Sequence, residues 1–278
     1  MTVTALSAED FRVFSEYFYK KTGIEFDESK RYFVDKRLLK RIEATGAKSF
    51  RDYFVAMRFE ASQKEFQSIV NTMTVNETYF NREDHQFRTL STKVLDEILA
   101  ARNGRTRPLR ILCLPSSTGE EPYSIALHLI SNWPGLAHHD VELSGADIDT
   151  EVLRRSREGI FGRRSVQYIP PKQLKEHFTL LPDGRYQISQ DIREAVDFLR
   201  INVTNPDETR QLRDFDVIFC RNMLIYFDDR SRSVAINALY DALRPGGFLF
   251  LGHSESISRM SSLFEVRRFP EAIVYQSS

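Results

Sequence analysis

Short apolar runs that alternate with amphipathic stretches dominate the second half of this chain. The runs at 109–114 and 215–220 carry five apolar residues out of six, and 141–146 is a further segment of strand length. Because strands buried on both faces read as continuous apolar runs, and helical stretches separate these three, the pattern predicts a mostly parallel α/β sheet. Two late runs, 264–269 and 272–275, predict an antiparallel hairpin that closes the sheet.

The last helix of this half is predicted to begin at about Arg230. Its buried stripe is expected to consist of Val234, Ala235, Ala238, Leu239, Ala242 and Leu243. The Pro-Gly-Gly sequence at 245–247 ends the helix and leads into a predicted strand at 248–251.

Residues 8–71 show helical periodicity without a convincing strand, with Phe11, Phe14 and Phe18 on one face of the first helix. A second helix, predicted at 29–44, carries the strongest charge asymmetry in the chain. Its bases are Lys30, Arg31, Lys36, Arg37, Lys40 and Arg41. Taken alone, such a face is most simply a solvated surface.

These patterns divide the chain into three parts. Residues 1–75 are predicted to form an all-α N-terminal domain, 76–90 a linker, and 91–278 an α/β domain. Between 162 and 202 the alternation of strands and helices breaks, and a Pro-Asp-Gly turn at 182–184 predicts a hairpin. We interpret about 162–200 as a small antiparallel β insertion in the α/β domain.

Composition argues against several classes of protein. The 39 lysines and arginines balance the 39 aspartates and glutamates, and a chain without net charge is not a general binder of nucleic acid or other polyanions. No run approaches the roughly 18 apolar residues that span a bilayer. The first residues lack the basic and apolar regions of a signal peptide. We therefore expect a cytoplasmic protein that does not insert into membranes.

Polar residues follow four of the predicted strands. They are the segment 116–121, Asp147 with Asp149, Asn202, and Arg221 with Asn222. In open α/β sheets ligands bind outside the carboxyl ends of the strands, and an acidic residue after the second strand is suited to hold a ribose diol. Each residue has a structural alternative, as a helix cap or a turn former. Together they favour a site for a ligand that carries hydroxyls and an adenine.

Other enzyme classes fit less well. The chain contains neither a Gly-x-Gly-x-x-Gly sequence nor a P-loop, which argues against binding of NAD or a nucleoside triphosphate. Residues 252–256 nearly match a nucleophile elbow, but Ser256 replaces the final glycine and no histidine follows His253, as that hydrolase fold requires. His138, His139 and Asp140 lie in a predicted loop without a further ligand nearby in the sequence, so no metal site is predicted.

Five motifs in order carry a resemblance to a known family. They are Asn-Glu-Thr-Tyr-Phe-Asn-Arg-Glu at 76–83, Ser-Thr-Gly-Glu-Glu-Pro-Tyr-Ser at 117–124, Asp-Ile-Asp at 147–149, Cys-Arg-Asn-Met-Leu-Ile-Tyr-Phe at 220–227 and Gly-His-Ser-Glu at 252–255. Over essentially the whole chain the sequence resembles the CheR chemotaxis receptor methyltransferases. The resemblance implies a Rossmann-like S-adenosylmethionine-dependent methyltransferase domain with a small antiparallel β insertion, preceded by an all-α N-terminal domain. Asn81 and Pro115 depart from the family pattern.

The resemblance implies an enzyme that forms methyl esters on glutamate side chains of chemoreceptors. The cofactor would be S-adenosyl-L-methionine, the product S-adenosyl-L-homocysteine, and no metal would be needed. Cofactor contacts would come from Asn76, Thr78, Arg82, Glu121, Asp147, Asn202, Val203, Arg221 and Asn222. Arg82 and Tyr226 would lie near the transferred methyl group as catalytic residues.

The resemblance also implies partners. The six bases at 30–41 would dock glutamate-rich methylation helices in the cytoplasmic domains of chemoreceptors. Because the hairpin loop at 180–185 is short, dependence on a C-terminal receptor pentapeptide is less expected, and neither nucleic acid nor a membrane is a predicted partner. Two alternatives stay open: a non-catalytic module that binds the cofactor or docks on receptors, and a methyltransferase of the same fold with another acceptor.

Overall fold

The N-terminal part of the computed structural model is a four-helix domain. The structure describes residues 5–102, 106–258 and 261–278. The helices of this domain are α1 (Ala8–Thr22), α2 (Arg31–Thr45), α3 (Phe50–Phe59) and α4 (Lys64–Met73). A capping box at Ser7 starts α1, and fully buried Phe14, Phe18, Leu38 and Ile69 join the helices in one core.

A helical connection leads from this domain to the sheet. It comprises α5 (Asp84–Thr89), a π-helical turn (Leu90–Val94) and α6 (Leu95–Ala101). Asn81 precedes it with a φ of 60°, a left-handed conformation that asparagine tolerates better than most residues. Its side-chain amide donates a hydrogen bond to the Tyr168 carbonyl at 3.0 Å. Asparagine at position 81 thus suits both the local backbone conformation and this contact.

The second half folds around a seven-stranded sheet in the order β6-β2-β1-β7-β8-β10-β9. The strands are β1 (Leu109–Cys113), β2 (Val141–Asp147), β3 (Ile160–Phe161), β4 (Phe178–Leu180), β5 (Tyr186–Ile188), β6 (Val196–Arg200), β7 (Phe215–Cys220), β8 (Leu243–Leu251), β9 (Phe264–Arg268) and β10 (Ile273–Ser277). From β6 to β8 the pairing is parallel, and β10 and β9 add an antiparallel hairpin. This confirms the predicted α/β class.

Helices cover both faces of the sheet. Helices in contact with its strands include α7 (Glu120–Asn132), α8 (Thr150–Glu158), α11 (Gln190–Glu194) and α13 (Asp229–Ala242). Further helices are α9 (Arg163–Val166) and α10 (Pro171–His177), which lie between β3 and β4 in the chain, and α12 (Pro206–Thr209), which packs against α13. Alternate residues of one strand enter different cores: Phe219 of β7 packs in a cluster with α7, whereas Ile218 packs in a cluster with α13. Among the described residues no helix is long and apolar enough to cross a membrane.

The β insertion is a separate three-stranded antiparallel sheet in the order β3-β5-β4. Its limits differ from the predicted 162–200. Strand β3 begins at Ile160, and β6 pairs in parallel with β2 in the large sheet, so β6 lies outside the insertion. The predicted turn at 182–184 does join β4 to β5, with Gly184 at a φ of 81°.

Two details at the end of the sheet correct the sequence prediction. Val234 was expected in the buried stripe of α13 but is 38% exposed, whereas Ile236 is buried. The face that a helix buries is set by its partners, which a stripe of small residues does not specify. Strand β8 begins at Leu243, directly after α13, and not at Phe248; the Pro-Gly-Gly sequence lies within an irregular stretch where the register with β7 shifts.

The helical domain packs against the carboxyl edge of the sheet. The Tyr19 hydroxyl bonds to the Asp228 carboxylate at 2.8 Å, and the Gln67 amide donates to the Ile148 carbonyl at 2.9 Å. Strands β2 and β6 lie on one side of β1, and β7 and β8 lie on the other, so the strand order reverses between β1 and β7. The helical domain therefore covers the edge at which doubly wound sheets bind ligands.

Candidate functional site

A cavity of about 740 Å³ lies between the helical domain and the carboxyl ends of β1, β2, β6 and β7. Its volume is within the range usual for small-molecule sites. The lining includes every residue that the sequence predicted for cofactor binding or catalysis: Asn76, Thr78, Arg82, Glu121, Asp147, Asn202, Val203, Arg221, Asn222 and Tyr226. Residues spread over 150 positions of the chain are thus brought to one place by the parallel sheet.

Asp147 forms the end of β2 and is buried. Its carboxylate accepts hydrogen bonds from the N–H groups of Ser117, at 2.9 Å, and Asp149, at 3.0 Å. Burial raises the pKa of Asp147 to about 6, although these hydrogen bonds oppose the shift. A carboxylate has about four lone-pair sites, so Asp147 retains capacity for two ligand hydroxyls.

Glu121 and Arg221 form a buried ion pair on another wall of the cavity. Arg221 Nη1 lies 2.9 Å from Glu121 Oε2, and Arg221 Nη2 donates to the Arg82 carbonyl at 2.6 Å. Burial raises the pKa of Glu121, and the Arg221 charge lowers it. Glu121 Oε1 is buried and has no hydrogen-bond partner among the described residues. Such an orphaned acceptor fits a ligand that donates a hydrogen bond there.

Arg82 and Tyr226 lie where the cavity meets the surface. Tyr226 is 39% exposed, whereas the adjacent Phe227 is 6% exposed, so Tyr226 does not serve as a core aromatic residue. Burial raises the Tyr226 pKa, and the positive charge of Arg82 lowers it. Arg82 Nη1 donates to the Glu77 carbonyl at 3.3 Å, and the guanidinium lies 5.9 Å from the centre of the Tyr79 ring. The mouth thus contains both a cation and a phenol.

Two of the predicted contact residues hold the walls of the cavity together through their side chains. The Asn76 amide donates to Asp149 Oδ2 at 2.8 Å. The Asn202 amide donates to the Lys21 carbonyl at 2.7 Å, at the end of α1, and its oxygen accepts from Thr204. Asn202 therefore joins the helical domain to the sheet. This contact could not be predicted from the sequence, because Asn202 and Lys21 lie 181 positions apart.

Asp149, which the sequence grouped with Asp147 after the second strand, is a structural centre of the site. It is 1% exposed and caps α8 through the N–H groups of Glu151 and Val152. Its other oxygen accepts from Thr74, at 2.6 Å, and from Asn76. Asp149 thus fixes the linker against β2, beside Asp147. The Asp-Ile-Asp motif could have indicated this structural role, since one of its two carboxylates is enough to bind the ligand hydroxyls and the other is left for the protein.

The helical domain supplies apolar cavity walls that sequence reasoning missed. Phe26, Phe33 and Met73 face the cavity together with Ile148 and Ile201 from the α/β domain. A mixture of these apolar walls with Asp147 and Glu121 suits a ligand that has both a flat apolar ring and hydroxyl or amino groups.

The six bases of the second helix divide into two groups. The three arginines are half-buried and have partners in the protein. Arg31 contacts the Asp35 carboxylate and donates to the Leu6 carbonyl. Arg37 donates to the Thr72 carbonyl, and Arg41 lies 2.6 Å from the Glu65 carboxylate. Lys30, Lys36 and Lys40 are exposed. Lys36 and Lys40 form a stripe along α2 with Tyr32, which is 79% exposed, and Lys30 lines the cavity.

Comparison with known proteins agrees with this arrangement. The family model described as the CheR methyltransferase SAM binding domain matches residues 76–273, and the CheR methyltransferase all-alpha domain matches residues 9–74. This chain belongs to the CheR methyltransferase family. The family resemblance and the predicted architecture, an all-α domain followed by an S-adenosylmethionine-binding α/β domain, are therefore confirmed. The cofactor class is S-adenosylmethionine, and the protein is a methyltransferase.

Curated CheR relatives match almost the full chain. A "Chemotaxis protein methyltransferase 2" from Vibrio cholerae is 51% identical over 275 residues, which cover 99% of this chain and 95% of the relative. The chemotaxis protein methyltransferase of Escherichia coli is 35% identical and covers 95% of this chain and 90% of its own. That of Salmonella typhimurium is 34% identical, with coverages of 95% and 89%.

Proposed function

We propose that this CheR protein transfers the methyl group of S-adenosylmethionine to glutamate side chains on the cytoplasmic helices of bacterial chemoreceptors, as a protein-glutamate O-methyltransferase. The observation that carries the proposal is the single cavity in which Asp147 and Glu121 converge below a mouth formed by Arg82 and Tyr226. A non-catalytic binding module has no need of a cation and a phenol at the mouth. Action in the cytoplasm, where the receptor helices lie, is part of the proposal.

The walls of the cavity fit the proposed cofactor. Asp147 would accept hydrogen bonds from the ribose hydroxyls, and the orphaned Glu121 Oε1 would accept one from an N–H or O–H donor of the cofactor. The apolar walls, which include Phe26 and Ile148, would hold the adenine. Arg221 would act mainly by keeping Glu121 ionised in its buried position. When bound, the cofactor supplies a methyl group activated by a positive sulfonium.

Positioning is the main task left to the protein. A glutamate substrate is ionised at neutral pH, so its oxygen attacks the methyl carbon without a general base. Holding the two reactants in line can supply roughly 7–11 kcal/mol of the barrier reduction. We assign to Arg82 the pairing of a carboxylate, of the substrate or of the cofactor, and to Tyr226 a hydrogen bond near the reacting atoms.

The experiment that tests this function uses methyl-labelled S-adenosylmethionine and membranes that contain chemoreceptors. The receptor is expected to become labelled, and alkali should release the label as volatile methanol, because carboxyl methyl esters are base-labile. Stable label on the receptor would indicate another acceptor. Absence of label together with intact cofactor binding by calorimetry would favour the non-catalytic module.

Replacing Tyr226 by phenylalanine is expected to lower the rate of methyl transfer by about tenfold or more, with little change in cofactor affinity. A hydrogen bond to a charged group contributes about 1.5–3 kcal/mol, and 1.36 kcal/mol corresponds to a factor of ten in rate. Single-turnover transfer at saturating cofactor measures the effect, with calorimetry as the control for binding. An unchanged rate would remove the polar role of this residue.

Cofactor affinity is expected to fall as the pH is lowered through about 6, where Asp147 takes up a proton. The protonated form has lost acceptor capacity for the ribose hydroxyls, so binding favours the ionised form and affinity reaches a plateau above this pH. Calorimetric titrations with S-adenosylhomocysteine between pH 5 and 8 measure the profile, roughly the range in which the group titrates. Asp147→Asn is the control, and its profile should be flat across this step.

The exposed lysines give a narrower form of the predicted docking helix. We propose that Lys30, Lys36 and Lys40 attract a glutamate-rich receptor helix towards the mouth, while the arginines of α2 hold the helical domain together. The tight turn between β4 and β5, closed by a bond from the Leu181 N–H to the Arg185 carbonyl, is short. We therefore propose that docking does not depend on a receptor pentapeptide.

Reversing two of these charges, in Lys36→Glu/Lys40→Glu, is expected to raise KM for the receptor several-fold without changing cofactor affinity. Complementary surface charges mainly speed association, and salt screens them within about 8–10 Å, so the effect should shrink as salt is added. Lys93→Glu/Lys175→Glu is a matched control, because it makes the same change in net charge at exposed lysines on other elements. Equal effects of the two pairs would contradict docking on α2.

A further inference from the structure

Glu255 does not line the cavity, yet its carboxylate joins the loops that follow two neighbouring strands. Oε2 accepts hydrogen bonds from the N–H of Gly252, at 2.9 Å, and from that of Asn222, at 2.7 Å. Oε1 accepts one from the N–H of Leu224 at 2.8 Å. Gly252 directly follows β8, and Asn222 lies two residues after the end of β7. One side chain thus satisfies three backbone donors across two loops.

The loop after β7 needs such a support because its backbone is unusual. Asn222 has a φ of 59°, in the left-handed region that non-glycine residues adopt infrequently, although asparagine tolerates it better than most. The packing is tight: a Cβ at Gly252 would lie 2.9 Å from Asn222 Nδ2 and 2.9 Å from Glu255 Oε2. A side chain at position 252 would therefore displace the Glu255 carboxylate or the Asn222 amide.

The same loop carries Tyr226. The Leu224 N–H bound by Glu255 begins the 3-10 turn Leu224–Tyr226, and the Tyr226 N–H then bonds to the Met223 carbonyl at 3.1 Å. On the opposite side the Tyr226 carbonyl accepts from the Glu25 N–H of the helical domain at 3.4 Å. Glu255 thus fixes the start of the turn, and the helical domain contacts its end.

We propose that Glu255 is a positioning residue for methyl transfer. Its carboxylate holds residues 222–224 in one conformation and thereby sets where the Tyr226 hydroxyl stands at the mouth of the cavity. The inference rests on the proposed function, because it requires Tyr226 to act in methyl transfer. It adds a residue that acts through the backbone from outside the cavity.

The test begins with Glu255→Gln, which keeps the shape of the side chain but turns one acceptor oxygen into an NH2 group that faces a backbone N–H. Displacement of Tyr226 is expected to lower kcat about tenfold, the loss predicted for removing its hydroxyl, since a misplacement of about 1 Å can cost up to 10²-fold. Glu265→Gln, at an exposed position of β9, is the matched control and should keep the wild-type rate. Calorimetry with S-adenosylhomocysteine verifies that each variant is folded.

Combining Glu255→Gln with Tyr226→Phe distinguishes positioning from a general structural role. If Glu255 acts through the Tyr226 hydroxyl, Glu255→Gln should lower kcat by less than about twofold in the Tyr226→Phe background, because both substitutions then remove the same contribution. The same fractional loss in both backgrounds, or a wild-type kcat for Glu255→Gln, would overturn the inference. Glu255→Asp withdraws the carboxylate by one methylene and serves the same test if the glutamine variant does not fold. An inactive wild-type protein would overturn the proposed function instead.

Discussion

Arg221→Met is expected to lower the free energy of unfolding by about 3–5 kcal/mol, the cost typical of removing one partner from a buried ion pair. Arg221 is 5% exposed and holds the carboxylate of Glu121 at 2.9 Å. Without this guanidinium, Glu121 is a buried charge that has lost its directly paired cation. The weaker charge effect of Arg82 remains, and the pKa of Glu121, already raised by burial, rises further. Urea denaturation at neutral pH measures the change.

Two controls separate this effect from a loss of side-chain volume. Glu121→Gln/Arg221→Met removes the buried charge as well and should recover part of the stability. Arg210→Met removes an exposed arginine that pairs with Asp207 and should change stability by less than about 1 kcal/mol. Because a raised carboxyl pKa means that the folded state binds the proton more tightly, the deficit of Arg221→Met should shrink as the pH is lowered. A small deficit that is independent of pH would contradict the account.

Asp147→Ala is expected to weaken binding of S-adenosylhomocysteine about 100-fold or more. Two charge-assisted hydrogen bonds from ribose hydroxyls contribute about 1.5 kcal/mol or more each, and about 2.7 kcal/mol corresponds to a factor of 100 in Kd. The Ser117 N–H, now bound by Asp147 at 2.9 Å, also loses its acceptor, so the loop after β1 loses support. Isothermal calorimetry at neutral pH measures the affinity.

The matched control for this substitution is Asp197→Ala, which removes an exposed aspartate from the neighbouring strand β6. Its affinity should equal that of the wild-type protein. If Asp147→Ala bound the product within about twofold of the wild type, Asp147 would not hold the ribose and the orientation proposed for the cofactor would be wrong.

The site could be predicted from the sequence because of one geometric property of parallel sheets. Apolar runs located β1, β2 and β7, and the carboxyl ends of parallel strands meet at one edge. Asp147, Asn202 and Arg221 follow different strands and therefore had to converge, whatever the detail of the loops between them. The family motifs added Arg82 and Tyr226, which lie on segments that strand patterns do not place.

Contacts between distant segments of the chain could not be predicted from the sequence. The three arginines of α2 looked like their neighbouring lysines, but Arg37 binds the Thr72 carbonyl and Arg41 binds Glu65 of α4. Charge counts carry no information about such tertiary partners. For the same reason the bond from the Asn202 amide to the end of α1 was not predicted, although Asn202 lines the cavity as expected. The burial of Ile236 in place of Val234 likewise depends on what packs against α13.

The most direct test of the central claim is to identify the methylated atom. A purified cytoplasmic fragment of a chemoreceptor is incubated with the protein and S-adenosylmethionine, digested under mildly acidic conditions, and mapped by tandem mass spectrometry. If the proposed function is correct, glutamate side chains gain the mass of one CH2 group, and alkaline treatment removes it again. Arg82→Ala and Tyr226→Phe should modify the fragment much less than the wild-type protein does. Modification confined to lysine, arginine or a backbone terminus, or equal modification by the variants, would contradict it.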